Sequence, residues 1–209
     1  MAKVFIGVGH GGSDPGATAN GLIEKDLNLN TALEVYDVLV AHGVTCKLSR
    51  TRDEADELTE EIYECNKFNP DLALDIHHNA GGGDGVEVFH HIGGGTSETL
   101  AQNVLNEIVG IGQNSRGIKT RVNKDGTDWY GFIRQTYAPA VIVECAFLDS
   151  KDHEIVDTLE ENKAMGVAIA KGILKTLGIA YKPTDEEKEA SVNEKVLTLL
   201  KEAIKVLEG

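Results

Sequence analysis

Short apolar runs alternate with segments of helical period along most of this 209-residue chain, and that alternation constrains the fold more than any other feature. Val4–Val8 is a first apolar run, followed by a glycine-rich polar loop that reaches Glu24. Residues 26–42 place Leu29, Leu33, Tyr36 and Val40 at helical spacing, and Gly43 supplies the stop. Val44–Ser49 predicts the next strand, and Leu58–Phe68 a helix through Ile62 and Cys65 that Pro70 closes. Asp71–His77 and Gly85–Phe89 predict strands on either side of a glycine-rich turn. A helix through Leu100, Val104, Ile108 and Ile111 is expected to end near Gly112. Gly117–Val122 reads as extended, Pro139–Phe147 as a strongly apolar strand, and two last helices are expected over about 151–160 and 163–177. The expected fold is α/β, a three-layer sandwich around a mostly parallel sheet of about six strands with a C-terminal helical appendage.

Composition breaks once. A main domain is expected over 1–180, a polar and acidic linker over 181–190 around Pro183, and a short amphipathic helix over 191–209. In that tail Val192, Val196, Leu199, Ala203 and Val206 recur at alternating spacings of four and three, a heptad seam. Two heptads are too few for a helix stable alone in water. Docking back on the main domain and pairing with a second chain as a homodimer both remain open.

The charge balance narrows the partners. Twenty basic against 34 acidic residues leave a net charge of −14, wrong for displacing counterions from nucleic-acid phosphates and wrong for anionic lipid. No run of about 18 apolar residues exists to span a membrane. The apolar stretch after Lys3 is too short for the core of an export signal, which predicts synthesis and folding in the cytoplasm. Cys46, Cys65 and Cys145 are odd in number and lack C-x-x-C spacing, so they read as reduced and mostly buried thiols.

Chemistry-bearing side chains gather where strands end, and in parallel sheets sites form outside the carboxyl ends of strands. His10 follows the first strand, His77 ends the third, Glu144 lies near the end of the last, and Glu24 opens the first helix. Two imidazoles and two carboxylates suit a catalytic zinc, with three ligands, an open position for water and a separate acid to move protons. Taken alone, His10 in Gly9-His10-Gly11-Gly12 also reads as a solvated loop histidine, and Glu24 as an acid favoured by the helix dipole. Glu144 is more telling, because a lone carboxylate inside Val141-Ile142-Val143-Glu144-Cys145-Ala146-Phe147 needs a partner or a job.

Five segments in order resemble the motif set of zinc-dependent N-acetylmuramoyl-L-alanine amidases, the family of autolysins and phage endolysin catalytic domains. They are Gly9-His10-Gly11-Gly12, Asp14-Pro15-Gly16-Ala17, Glu24-Lys25-Asp26-Leu27-Asn28-Leu29, Ile76-His77-His78-Asn79-Ala80 and Pro139-Ala140-Val141-Ile142-Val143-Glu144. Arg50 with Asp53, Asn66 and Gly85-Val86-Glu87-Val88 are similar to secondary landmarks, and the resemblance covers roughly residues 1–178. It implies zinc ligands at His10, Glu24 and His77, Glu144 as the catalytic carboxylate, and substrate contacts at Asn79 and Arg134. His78 falls on the family's variable position, and strand alternation turns it away from His77. His90 and His91 read as surface or groove residues, while His42 and His153 have no motif support. Two departures stand out: Gly7-Val8 replaces the family's usual Asp-Pro pair, and the family commonly has an arginine near Glu61.

The implied function is that of a peptidoglycan hydrolase. Zinc-activated water, with Glu144 as general base and acid, would cut the amide between N-acetylmuramic acid and the L-alanine of the stem peptide. A catalytically silent wall-binding protein and a zinc peptidase on a related wall substrate are the competing readings. An activity against walls without an export signal implies action after release, in phage lysis or mother-cell lysis.

Overall fold

The computed structural model describes residues 1–184 and Ile204. Met1–Ile179 form one compact unit and Ala180–Gly209 a second. Apart from Ile204, the helix expected over 191–209 lies outside the described residues, together with the pairing surface proposed for it and most of the linker.

In chain order the first unit contains β1 (Lys3–Val8), a hairpin of β2 (Thr18–Ala19) and β3 (Leu22–Ile23), α1 (Glu24–Ala41), β4 (Thr45–Leu48) and α2 (Leu58–Phe68). There follow β5 (Leu72–Asn79), β6 (Val86–His90), α3 (Thr96–Gly110), β7 (Ser115–Lys119), α4 (Gly131–Gln135), β8 (Ala140–Phe147) and α5 (Leu159–Thr176). Six strands form one sheet in the order β4-β1-β5-β8-β6-β7. All its pairs are parallel except β6 with β8. The expected α/β sandwich with a mostly parallel six-stranded sheet is the fold found.

Alternation along the strands gives the two sheet faces different work. α1, α3 and α5 pack together against one face, where Val4, Ile6, Leu74, Ile76, Val141 and Val143 are fully buried. On the other face, Phe5, Ala73, Phe89 and Ile142 form a core with Ile62 and Cys65 of α2 and Phe132 of α4. These two helices have only 11 and 5 residues. Towards the carboxyl ends of the strands, the same face turns polar through Asp75, His77, Glu87 and Glu144. Parallel pairing puts His77 beside Glu144, and antiparallel pairing puts Glu87 on the other side of Glu144.

Three boundaries differ from the expected ones. The α4 turn carries too few residues to show a period. The strand expected over 117–122 ends at Lys119, with a register shift in its pairing and Gly117 at φ 86°, while Val122 bridges instead to Asp128. Of the two helices expected from 151, the first is a single 3-10 turn over Lys151–Ile155. Thr158 and Glu161 then form a reciprocal capping box, which restarts the backbone as one long helix at Leu159.

Candidate metal centre

His10, Glu24 and His77 converge although 67 positions separate the first from the last, and their ligand atoms all lie within 4.8 Å of one another. Each arrives by a different device. His10 leaves β1 in the left-handed region at φ 63°, uncommon for a residue with a side chain and frequent at functional sites. Glu24 opens α1, where the helix dipole favours a carboxylate. His77 projects from β5 over Gly9, and a Cβ at position 9 would stand 2.2 Å from its ring. Gly16 makes the same kind of room, since a Cβ there would meet Glu24 at 2.5 Å and His10 at 2.6 Å.

The polar atoms are oriented inward. Glu24 Oε1 lies 3.3 Å from His10 Nε2 and 3.0 Å from His77 Nδ1, and it accepts the His78 backbone N–H at 3.1 Å. Its Oε2 accepts the Ala17 N–H at 2.7 Å. The outward ring nitrogens are both held by carboxylates: His10 Nδ1 by Asp14 Oδ2 at 2.8 Å and His77 Nε2 by Asp75 Oδ2 at 3.0 Å. Such partners fix ring orientation and tautomer in metal-binding histidines.

This donor set fits zinc. A tetrahedral ion with bonds of about 2.0–2.1 Å places its donors roughly 3.3 Å apart, and the Glu24–imidazole distances of 3.0 and 3.3 Å match that spacing. The charge state agrees. Burial opposes ionisation of Glu24, yet hydrogen bonds to His10 and His77 hold its carboxyl far below the usual range. The bond to Glu24 raises His10 against the opposing effect of burial. Burial works to lower His77, but Asp75 and Glu24 lift it well above the ordinary imidazole value. A divalent cation would replace that imidazole positive charge beside the carboxylate.

His78 turns to the opposite face, where Nδ1 meets Asn28 Oδ1 at 2.7 Å, and its complete burial pushes it down to about 4. It has no access to the cluster.

His10, His77 and Glu144 line one cavity of about 360 Å³, with Asp14, Asp56, Glu57, Glu61 and Asp75 on the same wall system. Leu58, Tyr130, Phe132 and Ile142 supply its apolar surface. Burial pushes Glu144 up to about 7, His77 pulls the other way, and Glu24, Asp75 and Glu87 add to the rise. A carboxyl raised into this range is suited to general base and acid work. Asn79 and Arg134 are not brought to this cavity. Asn79 Oδ1 accepts the Ala80 N–H, and Arg134 Nη1 donates to the carbonyls of Asp128 and Trp129.

Two further acids escape sequence reasoning. Asp75 and Glu61 are buried, and among the described residues Asp75 Oδ1 and Glu61 Oε1 have no hydrogen-bond partner. Burial and the Asp75 charge push Glu61 well above the ordinary carboxyl value. A Cβ at Gly7 would stand 2.0 Å from Glu61 Oε1 and 2.8 Å from Asp75 Oδ1. Gly7 and Glu61, the two departures from the expected motif pattern, are thus in contact: the glutamate occupies the space that a side chain at position 7 would fill. The signal for Asp75 was available, because it interrupts Leu72-Ala73-Leu74-Asp75-Ile76 just as Glu144 interrupts its own strand.

Residues 4–175 match the Amidase_3 family, described as N-acetylmuramoyl-L-alanine amidase. The N-acetylmuramoyl-L-alanine amidase CwlM of Bacillus licheniformis is 35% identical over 193 residues, spanning 87% of this chain and 74% of that protein. The endolysin of Bacillus phage SPP1 is 32% identical over 209 residues, spanning 94% and 76% respectively. Among solved structures, Cwp6 from Clostridium difficile superposes with a TM-score of 0.83 at 39% identity, over 84% of this chain and 29% of that one.

Proposed function

The chain belongs to the N-acetylmuramoyl-L-alanine amidase family, and from that premise we propose that it hydrolyses the amide joining the lactyl group of N-acetylmuramic acid to the first L-alanine of the stem peptide. The observation that carries the reading is the convergence of His10, Glu24 and His77, two of which, His10 and His77, line one cavity with Glu144. His10, Glu24 and His77 would hold zinc, through His10 Nε2, the Glu24 carboxylate and His77 Nδ1. When bound, zinc supplies Lewis acidity, polarising the scissile carbonyl and lowering the pKa of water from 15.7 toward about 7.

The chain's own residues do the rest. Asp14 and Asp75 hold the outer nitrogens of His10 and His77, so that once a cation displaces the inner protons the inner nitrogens would face it as lone-pair donors. Glu144, poised near 7, takes a proton from the attacking water. As the carbon–nitrogen bond breaks, Glu144 returns that proton to the departing amine. The products are a lactyl carboxylate and a stem peptide with a free L-alanine amine. Each buried thiol is pushed up in pKa by burial, Cys65 to about 12 and Cys145 well above the usual value, which disfavours a thiolate nucleophile.

The wall is the site of action. The resemblance to a phage endolysin supports release during lysis, and among the described residues no helix is long and apolar enough to cross a membrane. Dye release from labelled walls tests the activity: the wild-type chain with zinc should release dye, and Glu144→Gln should not. Equal release by both proteins rules out the role given to Glu144.

A further inference from the structure

The cavity at the ligand cluster has walls of opposite character. Asp56, Glu57, Glu61 and Asp75 make one side acidic. Beyond Tyr130, which lines the cavity, the segment 116–130 carries Arg116, Lys119, Arg121 and Lys124 against only Asp125 and Asp128, in a chain of net charge −14. Tyr130 and Glu144 line the same cavity, and burial raises the Tyr130 phenol while a hydrogen bond to Arg121 opposes it.

These cations are not equivalent. Arg116 and Lys119 both close on Glu87 and share its single negative charge. Among the described residues Arg121 makes no ion pair with a carboxylate. Its guanidinium carbon lies 4.2 Å from the centroid of the Trp129 ring and 5.9 Å from that of Tyr130. Beside the hydrogen bond toward the Tyr130 hydroxyl, stacking leaves donors of the guanidinium free to meet a carboxylate.

The loop under it is braced to an unusual degree for an exposed segment. Trp129 N donates to Arg121 O at 2.8 Å, and Arg134 Nη1 bonds the carbonyls of Asp128 and Trp129. The Asp128 side chain is buried, accepts the Ile92 N–H at 3.0 Å and faces His91 Nε2 at 3.1 Å. A site held this way needs little ordering when ligand arrives.

We infer that Arg121, laid across Trp129 and Tyr130 at the rim of the cavity, is a subsite for a free carboxylate of the stem peptide, the α-carboxylate of the acidic residue next to the L-alanine. The inference rests on the amidase reading. An anionic stem is disfavoured on the acidic side of the cavity and is drawn to the one stacked cation at the rim without a carboxylate partner among the described residues.

Two muramoyl tripeptides that differ only in carrying a carboxylate or a carboxamide at that residue test it. The wild-type chain should show a kcat/KM about tenfold higher for the carboxylate, the size expected of a charge-assisted pair at a partly exposed site. Arg121→Gln should bring that ratio to about one, and Arg121→Lys should keep part of it. A ratio unchanged in Arg121→Gln, or both substrates falling in parallel, overturns the subsite. Calorimetric titration of the same peptides into Glu144→Gln, with and without Arg121→Gln, reads the ratio without turnover. A carboxylate preference there that depends on Arg121 upholds the subsite even if neither peptide is cut, in which case the amidase reading fails instead. No preference in that titration overturns the subsite.

Discussion

Asp75 Oδ2 lies 3.0 Å from His77 Nε2, and the two residues stand on the same face of β5. The contact leaves His77 Nδ1 to face Glu24, and a carboxylate in this position raises the basicity of a ligating ring. Asp75→Ala should therefore weaken zinc binding about 10–100-fold in a chelator-competition titration, with the far-ultraviolet circular dichroism of the fold retained. Unchanged affinity would show that His77 needs no holder.

Glu144 and the ligands should separate cleanly. His77→Ala should lose zinc, read by elemental analysis of the purified protein. Glu144→Gln should keep a full equivalent and lose hydrolysis by at least about 100-fold, the lower range for a missing general base.

The cavity acids make stability depend on pH with a definite sign. Burial pushes Asp56 up to about 6, and burial with the Asp75 charge pushes Glu61 well above its ordinary value. Between the ordinary carboxyl range near 4 and those raised values, the folded chain binds protons that the unfolded chain has released. Stability should therefore fall as pH rises from about 4 through 6 and beyond. Glu61→Gln and Asp56→Asn should each narrow the difference in Tm between pH 5 and pH 8, measured on metal-free protein in chelator. A gap that stays the same or widens contradicts the burial of these groups as acids.

Gly7 and Glu61 should behave as a coupled pair. A methyl at position 7 would stand 2.0 Å from Glu61 Oε1, so Gly7→Ala should destabilise by about 1–3 kcal/mol in urea unfolding. In Glu61→Ala the space is open, and adding Gly7→Ala should cost less than in the parent by at least about 0.5 kcal/mol. Strict additivity would mean that the two positions do not meet.

Much of this was legible in the residues. The strands that carry His10, His77 and Glu144 announce themselves as apolar runs, and the first helix by its period, because their side chains face a core. What was not legible depends on meetings across the sequence. Asp75 and Glu61 are 14 positions apart and on different elements: pairing of β1 with β5 sets Asp75 against Gly7, and packing of α2 on β1 brings Glu61 there. Arg134 was named from the family resemblance, and the two backbone carbonyls that its Nη1 holds are not visible in sequence. The stack of Arg121 on Trp129 is equally silent in sequence, since the two residues are eight positions apart and sit just outside the Val122–Asp128 bridge.

Mass spectrometry of bacterial walls digested by the purified chain, before and after stripping with chelator, tests the central claim most directly. The account predicts stem peptides beginning with a free L-alanine and glycans ending in an intact lactyl group, lost on stripping and restored by one equivalent of zinc. The same products at the same rate from fully stripped protein would contradict it.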